Sequence, residues 1–211
     1  MTDKEFIEEI KLLGINPTQE QLSQLEEYYN LLIEWNNKMN LTRITEKKEV
    51  YLKHFYDSLT INKIINLNDY NTLCDIGTGA GFPGIVLKIF YPHLEITLVD
   101  AREKKLKFLD EVIKKLNLKN ISTKHIRAEE YSEKFDIVTA RAVANIQKLL
   151  DYTMHLVKKN GYLIALKGDI DSELVEEVQT QINKQYTIKN IIKFNLPVEG
   201  SKRSLILIKN K

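Results

Sequence analysis

The chain has little cysteine and histidine and no long apolar run, and each shortage excludes a class of protein. Cys74 is the only cysteine among 211 residues, which argues against a disulfide scaffold and a structural zinc site. The four histidines have no metal-ligand spacing, so we expect no bound metal. No stretch has the apolar length of a membrane span. We therefore expect a cytoplasmic monomer without membrane contacts.

The chain also lacks a strong excess of charge. Lysine and arginine total 31 against 29 acidic residues, so composition alone does not indicate a nucleic-acid-binding protein. Any polyanionic partner must meet a local basic patch. The lysines between Arg102 and Lys107, with Lys114 and Lys115, face away from an apolar helical stripe, a pattern that a solvated helix face explains without RNA.

Glycine is scarce before residue 72, where apolar residues recur at helical spacing. Thr18 and Gln21 form a capping-box pattern at the start of the clearest helix. One stripe of this helix carries Leu22, Leu25, Tyr29, Leu32, Trp35 and Met39. We interpret Trp35, with Tyr28 and Tyr29, as core packing rather than as a base-stacking platform. Residues 1–66 are predicted to form a helical segment packed on the main domain.

From residue 72 to the end, short apolar runs alternate with amphipathic helices, which is typical of a parallel sheet covered on both faces. The predicted strands are Thr72 to Ile76, Glu95 to Asp100, Ile121 to Ile126, Phe135 to Ala140 and Tyr162 to Lys167. The predicted helices are Pro83 to Phe90, Arg102 to Leu116, Asn145 to Lys158 and Ser172 to Ile182. Two final strands, Thr187 to Phe194 and Ser204 to Lys209, should pair antiparallel. Residues 67–211 thus resemble the class I methyltransferase fold, an α/β domain with a seven-stranded, mostly parallel sheet and a terminal antiparallel hairpin.

A glycine-rich loop connects the first predicted strand to the next helix. It reads Gly77-Thr78-Gly79-Ala80-Gly81-Phe82-Pro83-Gly84. Such a loop at the carboxyl end of a strand lets backbone approach a ligand closely. Gly79, Gly81 and Gly84 also satisfy the dinucleotide-binding pattern, so spacing alone leaves two cofactors open. Asp75, just before the loop, favours the cationic S-adenosylmethionine over a pyrophosphate.

Acidic residues follow the second and third predicted strands. Asp100 ends the second strand, where a carboxylate accepts hydrogen bonds from the ribose hydroxyls of either cofactor, and Ala101 follows it. Asp100 as a helix N-cap is a compatible alternative. Ala128 and Glu129 lie where a class I enzyme borders the adenine, although a solvated acidic turn would look the same.

Several separated segments together resemble the small-subunit ribosomal RNA guanine-N7 methyltransferase family, RsmG, also called glucose-inhibited division protein B. They are Trp35-Asn36, Asn40-Leu41-Thr42, His54 with Asp57-Ser58, the glycine loop, Phe108-Leu109, Arg141-Ala142 with Ala144, and Lys167-Gly168. The resemblance implies that Gly77, Phe82, Ala128, Glu129 and Arg141 border S-adenosylmethionine. It also implies 7-methylguanine in 16S ribosomal RNA as the product, with that RNA or the small subunit as partner.

Guanine N7 carries a free lone pair at neutral pH, so we expect no catalytic base. Positioning dominates such a reaction and supplies up to roughly 7–11 kcal/mol in favourable models. Arg141, just after the fourth predicted strand, and Lys167, which ends the fifth, lie at the edge where this fold places reacting groups, and a surface salt bridge is the alternative role for Arg141. Together with Lys202 and Arg203, they are the predicted RNA-binding residues. His54 and Asp57, one helical turn apart, share a face and contact each other or a substrate, although such a histidine is usually structural.

Two other functions compete with methyl transfer. A small NAD(P)-dependent oxidoreductase fits the glycine loop, but the helices have no Tyr-x-x-x-Lys pair and the chain has no substrate lobe. A non-catalytic RNA-binding assembly protein would not need intact glycines together with Asp75 and Asp100. Both alternatives predict no methyl incorporation from labelled cofactor.

Overall fold

A computed structural model describes residues 1–141, 146–170 and 186–211. The predicted helix from Ser172 to Ile182, and Ala142 with Ala144, lie outside the described residues. Within the described ranges, no helix has the length and apolarity to cross a membrane.

A seven-stranded sheet forms the centre of the molecule, as predicted. Its strands are β1 (Thr72–Ile76), β2 (Glu95–Asp100), β3 (Ile121–His125), β4 (Phe135–Arg141), β5 (Val157–Lys167), β6 (Tyr186–Asn195) and β7 (Lys202–Asn210). The spatial order is β3-β2-β1-β4-β5-β7-β6. The first five strands are parallel, and β7 inserts antiparallel between β5 and β6. The carboxyl ends of β1, β2, β4 and β5 therefore share one edge.

The fifth strand begins earlier than predicted. Helix α7 ends at Thr153, a 3₁₀ turn spans Met154–Leu156, and Val157 already pairs with Phe135 of β4. The prediction of a helix continuing to Lys158 is therefore wrong. Buried, β-branched Val157 suits a strand better than a helix.

The helices cover the sheet and form the N-terminal segment. They are α1 (Asp3–Leu12), α2 (Gln19–Met39), α3 (Lys47–Val50), α4 (Asp57–Leu59), α5 (Gly84–Phe90), α6 (Glu103–Lys115) and α7 (Ile146–Thr153). The capping box at Thr18 and Gln21 is confirmed. On α2, Tyr28 is fully buried, whereas Tyr29 is only partly buried. The apolar stripe is thus rotated slightly from the predicted one.

A π-helix, Tyr51–Tyr56, lies between α3 and α4. Its wider turn is uncommon and is often found near functional sites. Most of its side chains are buried, including the aromatic ring of Phe55. The π-helix therefore fixes this part of the N-terminal segment firmly against the main domain.

One apolar core joins the N-terminal helices to a face of the sheet. It contains Phe6 and Leu32 from the N-terminal segment together with Leu98 of β2 and Phe108 of α6. A second core lies around α7 on the other face. The boundary near residue 66 stays a prediction. Buried apolar surface stabilises a fold by about 25 cal/mol per Å², so this shared core holds the N-terminal segment beside the glycine loop.

Candidate active site

The glycine loop adopts backbone conformations that residues other than glycine rarely adopt. The φ angles are +65° at Gly77, +62° at Gly79 and +98° at Gly81. A Cβ atom added at Gly77 would meet no atom within 4 Å. Gly77 thus borders open space, whereas Gly81 packs against Tyr28. The loop presents bare backbone on one side and is anchored on the other.

Asp75 holds the loop from below. Its side chain is fully buried. One carboxylate oxygen accepts hydrogen bonds from the Thr78 hydroxyl at 2.6 Å and the Gly84 amide at 3.0 Å. The other oxygen accepts a hydrogen bond from the Thr139 hydroxyl at 3.1 Å. Burial raises the pKa of Asp75 to about 6, although these hydrogen bonds oppose the shift. Asp75 therefore orders the loop, with its oxygens directed to the protein.

Asp100 ends β2 and faces the loop. It is 7% exposed and accepts hydrogen bonds from the amides of Gly79 at 3.0 Å and Arg102 at 2.9 Å. Lys105 Nζ lies 3.9 Å from the carboxylate. The structural N-cap of α6 is Arg102. Asp100 is thus held at the same edge as the glycine loop.

The residues that follow β2 and β3 lie along the same edge of the sheet. Ala101 is exposed, and its carbonyl contacts His125 Nε2 at 3.2 Å. Ala128 and Glu129 lie in a 3₁₀ turn after β3, with Ala128 partly buried and Glu129 exposed. These residues follow neighbouring strands, as the sequence indicated.

Arg141, at the end of β4, connects the loop to the N-terminal segment. Its guanidinium lies 5.2 Å from the centroid of the Phe82 ring. It donates to the Lys53 carbonyl at 3.2 Å and to Asp57 at 3.3 Å. Its other terminal nitrogen lies 3.2 Å from His54 Nδ1. The planar group thus makes several directional contacts at once.

His54 packs flat on the same phenylalanine. The ring centroids of His54 and Phe82 are 4.4 Å apart, with an interplanar angle of 17°. Its Nε2 lies 2.9 Å from the Thr42 hydroxyl. Its Nδ1 lies between the Arg141 guanidinium at 3.2 Å and the Lys53 carbonyl at 3.1 Å. Burial and then Arg141 lower the pKa of His54 to about 3, so the imidazole is neutral.

A cavity of about 260 Å³ opens beside this cluster. We call it the basic pocket, and it is lined by Ile44, Lys53, His54, Asp57, Arg141, Leu166, Lys167, Gly168 and Arg203. Arg203 Nε donates to Asp57 at 3.0 Å. One buried carboxylate therefore orients two guanidinium groups. Lys53 is paired with Glu49 at 2.7 Å and Glu199 at 3.0 Å, so Arg141, Lys167 and Arg203 are the cations that favour an anionic ligand.

The structure brings three of the predicted RNA-binding residues together. Arg141, Lys167 and Arg203 line the basic pocket, and burial lowers the pKa of Lys167. Arg141 does form a salt bridge, with Asp57, but that pair is largely buried rather than on the surface. Lys202 lies outside the pocket, is exposed and pairs with Asp169 at 2.9 Å.

Comparisons with known proteins assign the family. The family described as rRNA small subunit methyltransferase G matches residues 21–206. Ribosomal RNA small subunit methyltransferase G of Bacillus subtilis is 44% identical over 99% of this chain and 90% of that protein. The protein of the same name from Macrococcus caseolyticus is 50% identical over 84% of this chain and 76% of its own length. The chain belongs to this methyltransferase family.

Solved structures confirm the fold of this family member. TrmN from Thermus thermophilus superimposes with a TM-score of 0.58 at 13% identity, over 76% of this chain and 53% of that one. TYW2 of M. jannaschii, solved in complex with AdoMet, has a TM-score of 0.56 at 17% identity, over 66% and 68% of the two chains. Because the family is one of methyltransferases, the oxidoreductase and the non-catalytic assembly protein are not favoured.

The N-terminal segment supplies site residues, of which Lys53 did not stand out as functional in the sequence. Lys53, His54 and Asp57 form one wall of the basic pocket. His54 and Asp57 share a face, as predicted, although each contacts Arg141 rather than the other. Their place in a family segment was the available signal. Among the described residues, no group of three histidine, cysteine, aspartate or glutamate side chains can hold a metal ion.

The neutral state of His54 gives a testable pH prediction. Because its folded pKa of about 3 lies below the ordinary value of 6.5, His54 contributes stability fully above about pH 6.5 and loses it as the pH falls toward 3. We expect its ring resonances, assigned by NMR with a His54→Gln variant, to stay constant from about pH 5 to 8. A titration within that range would contradict the described hydrogen bonding.

Proposed function

We propose that this chain transfers the methyl group of S-adenosylmethionine to N7 of a guanine in small-subunit ribosomal RNA, in the cytoplasm. The contact between Arg141 and Phe82 carries the proposal, because it joins the cofactor loop to the basic pocket. One side of this contact suits the cofactor and the other suits RNA. The family name supports the RNA class, and the resemblance supports guanine N7.

The loop fits S-adenosylmethionine. Gly77 and Gly79 let the ligand approach the backbone, since a side chain at Gly77 would fill the open space beside it. Asp100 would accept the ribose hydroxyls, next to Ala101. Ala128 and Glu129 would border the adenine. We assign Asp75 and Gly81 to the order of the loop, through which they act on the cofactor.

The basic pocket fits the RNA backbone beside the target base. Arg141 and Arg203 can each engage a phosphate through two donors. Lys167 adds a charge from the neighbouring strand end, and Lys202 adds an exposed charge outside the pocket. Asp57 fixes both arginines before RNA arrives, so less side-chain freedom is lost on binding.

The chemistry needs no proton transfer before the methyl group moves. The bound cofactor supplies a methyl group activated by its positive sulfur. The protein orients the two reactants and excludes water, and these effects can supply several kcal/mol. His54, neutral near pH 7, keeps the Phe82 and Arg141 side chains in place and removes no proton. We therefore assign no general base.

Labelled methyl transfer tests the function directly. Small subunits purified from cells lacking the protein are incubated with the chain and labelled S-adenosylmethionine, and the nucleosides are identified by mass spectrometry. We expect labelled 7-methylguanosine. Label in another nucleoside would refute the N7 assignment, and no label in subunits or protein-free ribosomal RNA would refute the substrate class.

Asp100→Asn tests the cofactor site. We expect the Kd for S-adenosylhomocysteine, measured by calorimetry, to rise roughly 10- to 100-fold, because hydrogen bonds to a charged group contribute about 1.5–3 kcal/mol. Asp110→Asn is the matched control, since Asp110 is exposed and pairs with Thr123 away from the loop. Equal affinities in the two variants would remove Asp100 from the cofactor site.

A further inference from the structure

A second groove lies outside the site described above. It opens between the C-terminal end of α2 and the N-terminal end of α6, with a volume of about 570 Å³. We call it the tryptophan groove, and it is lined by Trp35, Lys38, Met39, Asn40, Lys104 and Lys107. An aromatic ring surrounded by lysines is the combination that binds single-stranded nucleic acid, by stacking on bases and contacting phosphates.

Trp35 packs against the core, as predicted, but it is fixed there on one side only and is accessible on the other. Its ring packs against Phe108 of α6, with the centroids 5.8 Å apart. The residue is only partly buried, and its remaining surface lines the groove beside Met39. A base that stacks there would therefore meet a ring already held in place.

The lysines of the groove are available to phosphates. Lys38 and Lys107 are 66% and 64% exposed, and each forms an ion pair with a glutamate one turn earlier on its own helix. Exposed pairs of this kind contribute little and exchange readily. Lys104 is exposed and forms no ion pair within the part of the chain that the structure describes.

The groove borders both halves of the active site. Asn40 is the C-cap of α2, and Thr42, two residues later, contacts His54 of the basic pocket. Across the groove, Lys105 of α6 lies 3.9 Å from Asp100 beside the glycine loop. An RNA strand whose guanine reaches the loop can thus continue into the groove.

We propose that the tryptophan groove is a second RNA-binding surface, in which Trp35 stacks on a base flanking the target guanine and the three lysines contact phosphates of that strand. The inference rests on the proposed function, which supplies RNA as the occupant. Charge complementarity and continuity with the active site carry it. It extends the RNA contact from the sheet edge to α2 and α6.

A triple variant, with Lys38, Lys104 and Lys107 each changed to glutamine, tests the phosphate contacts. We expect the KM for small subunits to rise roughly tenfold at moderate salt, with kcat and cofactor affinity unchanged. The slope of log affinity against log salt should become shallower by about 2, since single strands contribute ~0.7 per phosphate contact. The matched control changes Lys11, Lys114 and Lys115, which are exposed outside the groove, and should alter neither value.

Trp35 supplies a direct readout, because it is the only tryptophan of the chain. With S-adenosylhomocysteine at saturation, protein-free small-subunit ribosomal RNA is titrated against the chain while fluorescence anisotropy of labelled RNA reports binding. We expect Trp35 emission to be quenched in parallel with binding. Trp35→Phe, which keeps an aromatic ring on Phe108, should raise the KM by roughly fivefold.

The outcomes separate this inference from the proposed function. Absence of methyl transfer by the native chain refutes the function itself. If the native chain is active while the triple variant matches its control and RNA leaves Trp35 emission unchanged, the groove does not bind RNA. A raised KM on intact subunits, with unaltered binding to protein-free RNA, would assign the groove to a ribosomal protein and overturn the inference as well.

Discussion

Replacing Arg141 with lysine is expected to lower kcat/KM for methyl transfer to small subunits about 100-fold, or by about 2.7 kcal/mol. The guanidinium donates to the Lys53 carbonyl and Asp57, while its central carbon lies over the Phe82 ring and its second nitrogen faces His54. An ammonium group carries the same charge but has no planar fork. Lysine would therefore keep the charge of the pocket and lose the connection between loop and pocket.

The Arg141→Lys chain should still fold, because Asp57 keeps its 3.0 Å contact with Arg203. Circular dichroism and a thermal unfolding curve check this. Arg43→Lys is the control, since Arg43 is exposed and the same chemical change there should alter kcat/KM less than about twofold. An Arg141→Lys enzyme with nearly native kcat/KM would show that charge alone matters at this position.

Gly81→Ala is expected to lower the Tm by roughly 10 °C and to abolish cofactor binding. The φ of +98° costs an alanine about 1–2 kcal/mol. The new Cβ would lie 2.6 Å from the Tyr28 hydroxyl oxygen and 2.7 Å from Ile85 Cγ1. Both neighbours are fully buried, so overpacking adds about 1–3 kcal/mol. For a chain of this length, each kcal/mol lowers the Tm by about 2–4 °C.

Gly14→Ala separates the two causes of this loss. Gly14 has a φ of +80°, but a Cβ there would meet no atom within 4 Å. This variant therefore pays only the backbone cost, and its Tm should fall by about 3–6 °C with cofactor binding intact. Differential scanning calorimetry of both variants measures the two decreases in Tm. Equal decreases in Tm would show that the contacts around Gly81 yield easily.

The sequence predicts the loop and the sheet edge because both depend on local patterns. Parallel strands place their carboxyl ends together, so Asp100 and Arg141 could be expected beside the glycine loop. Arg203 reaches the same edge for a related reason. Its neighbour Ser204 pairs with Lys167 in the antiparallel register of β5 and β7.

The wall formed by the N-terminal segment could not be derived in this way. The contacts from Arg141 to His54 and Asp57 cross 87 and 84 positions of the chain, and no periodicity encodes such a pairing. The π-helix also changes the spacing on which a helical-face argument depends. Asp75 presents a related problem, because a sequence shows a carboxylate but not whether it is directed to a ligand or buried beneath the loop.

The basic pocket is assembled from distant parts of the chain, from Ile44 to Arg203 in a chain of 211 residues. During synthesis, the histidine wall leaves the ribosome first and the glycine loop follows. Arg203 and the strand that carries it follow both. A nascent chain therefore cannot complete the basic pocket until β7 has left the ribosome and paired with β5.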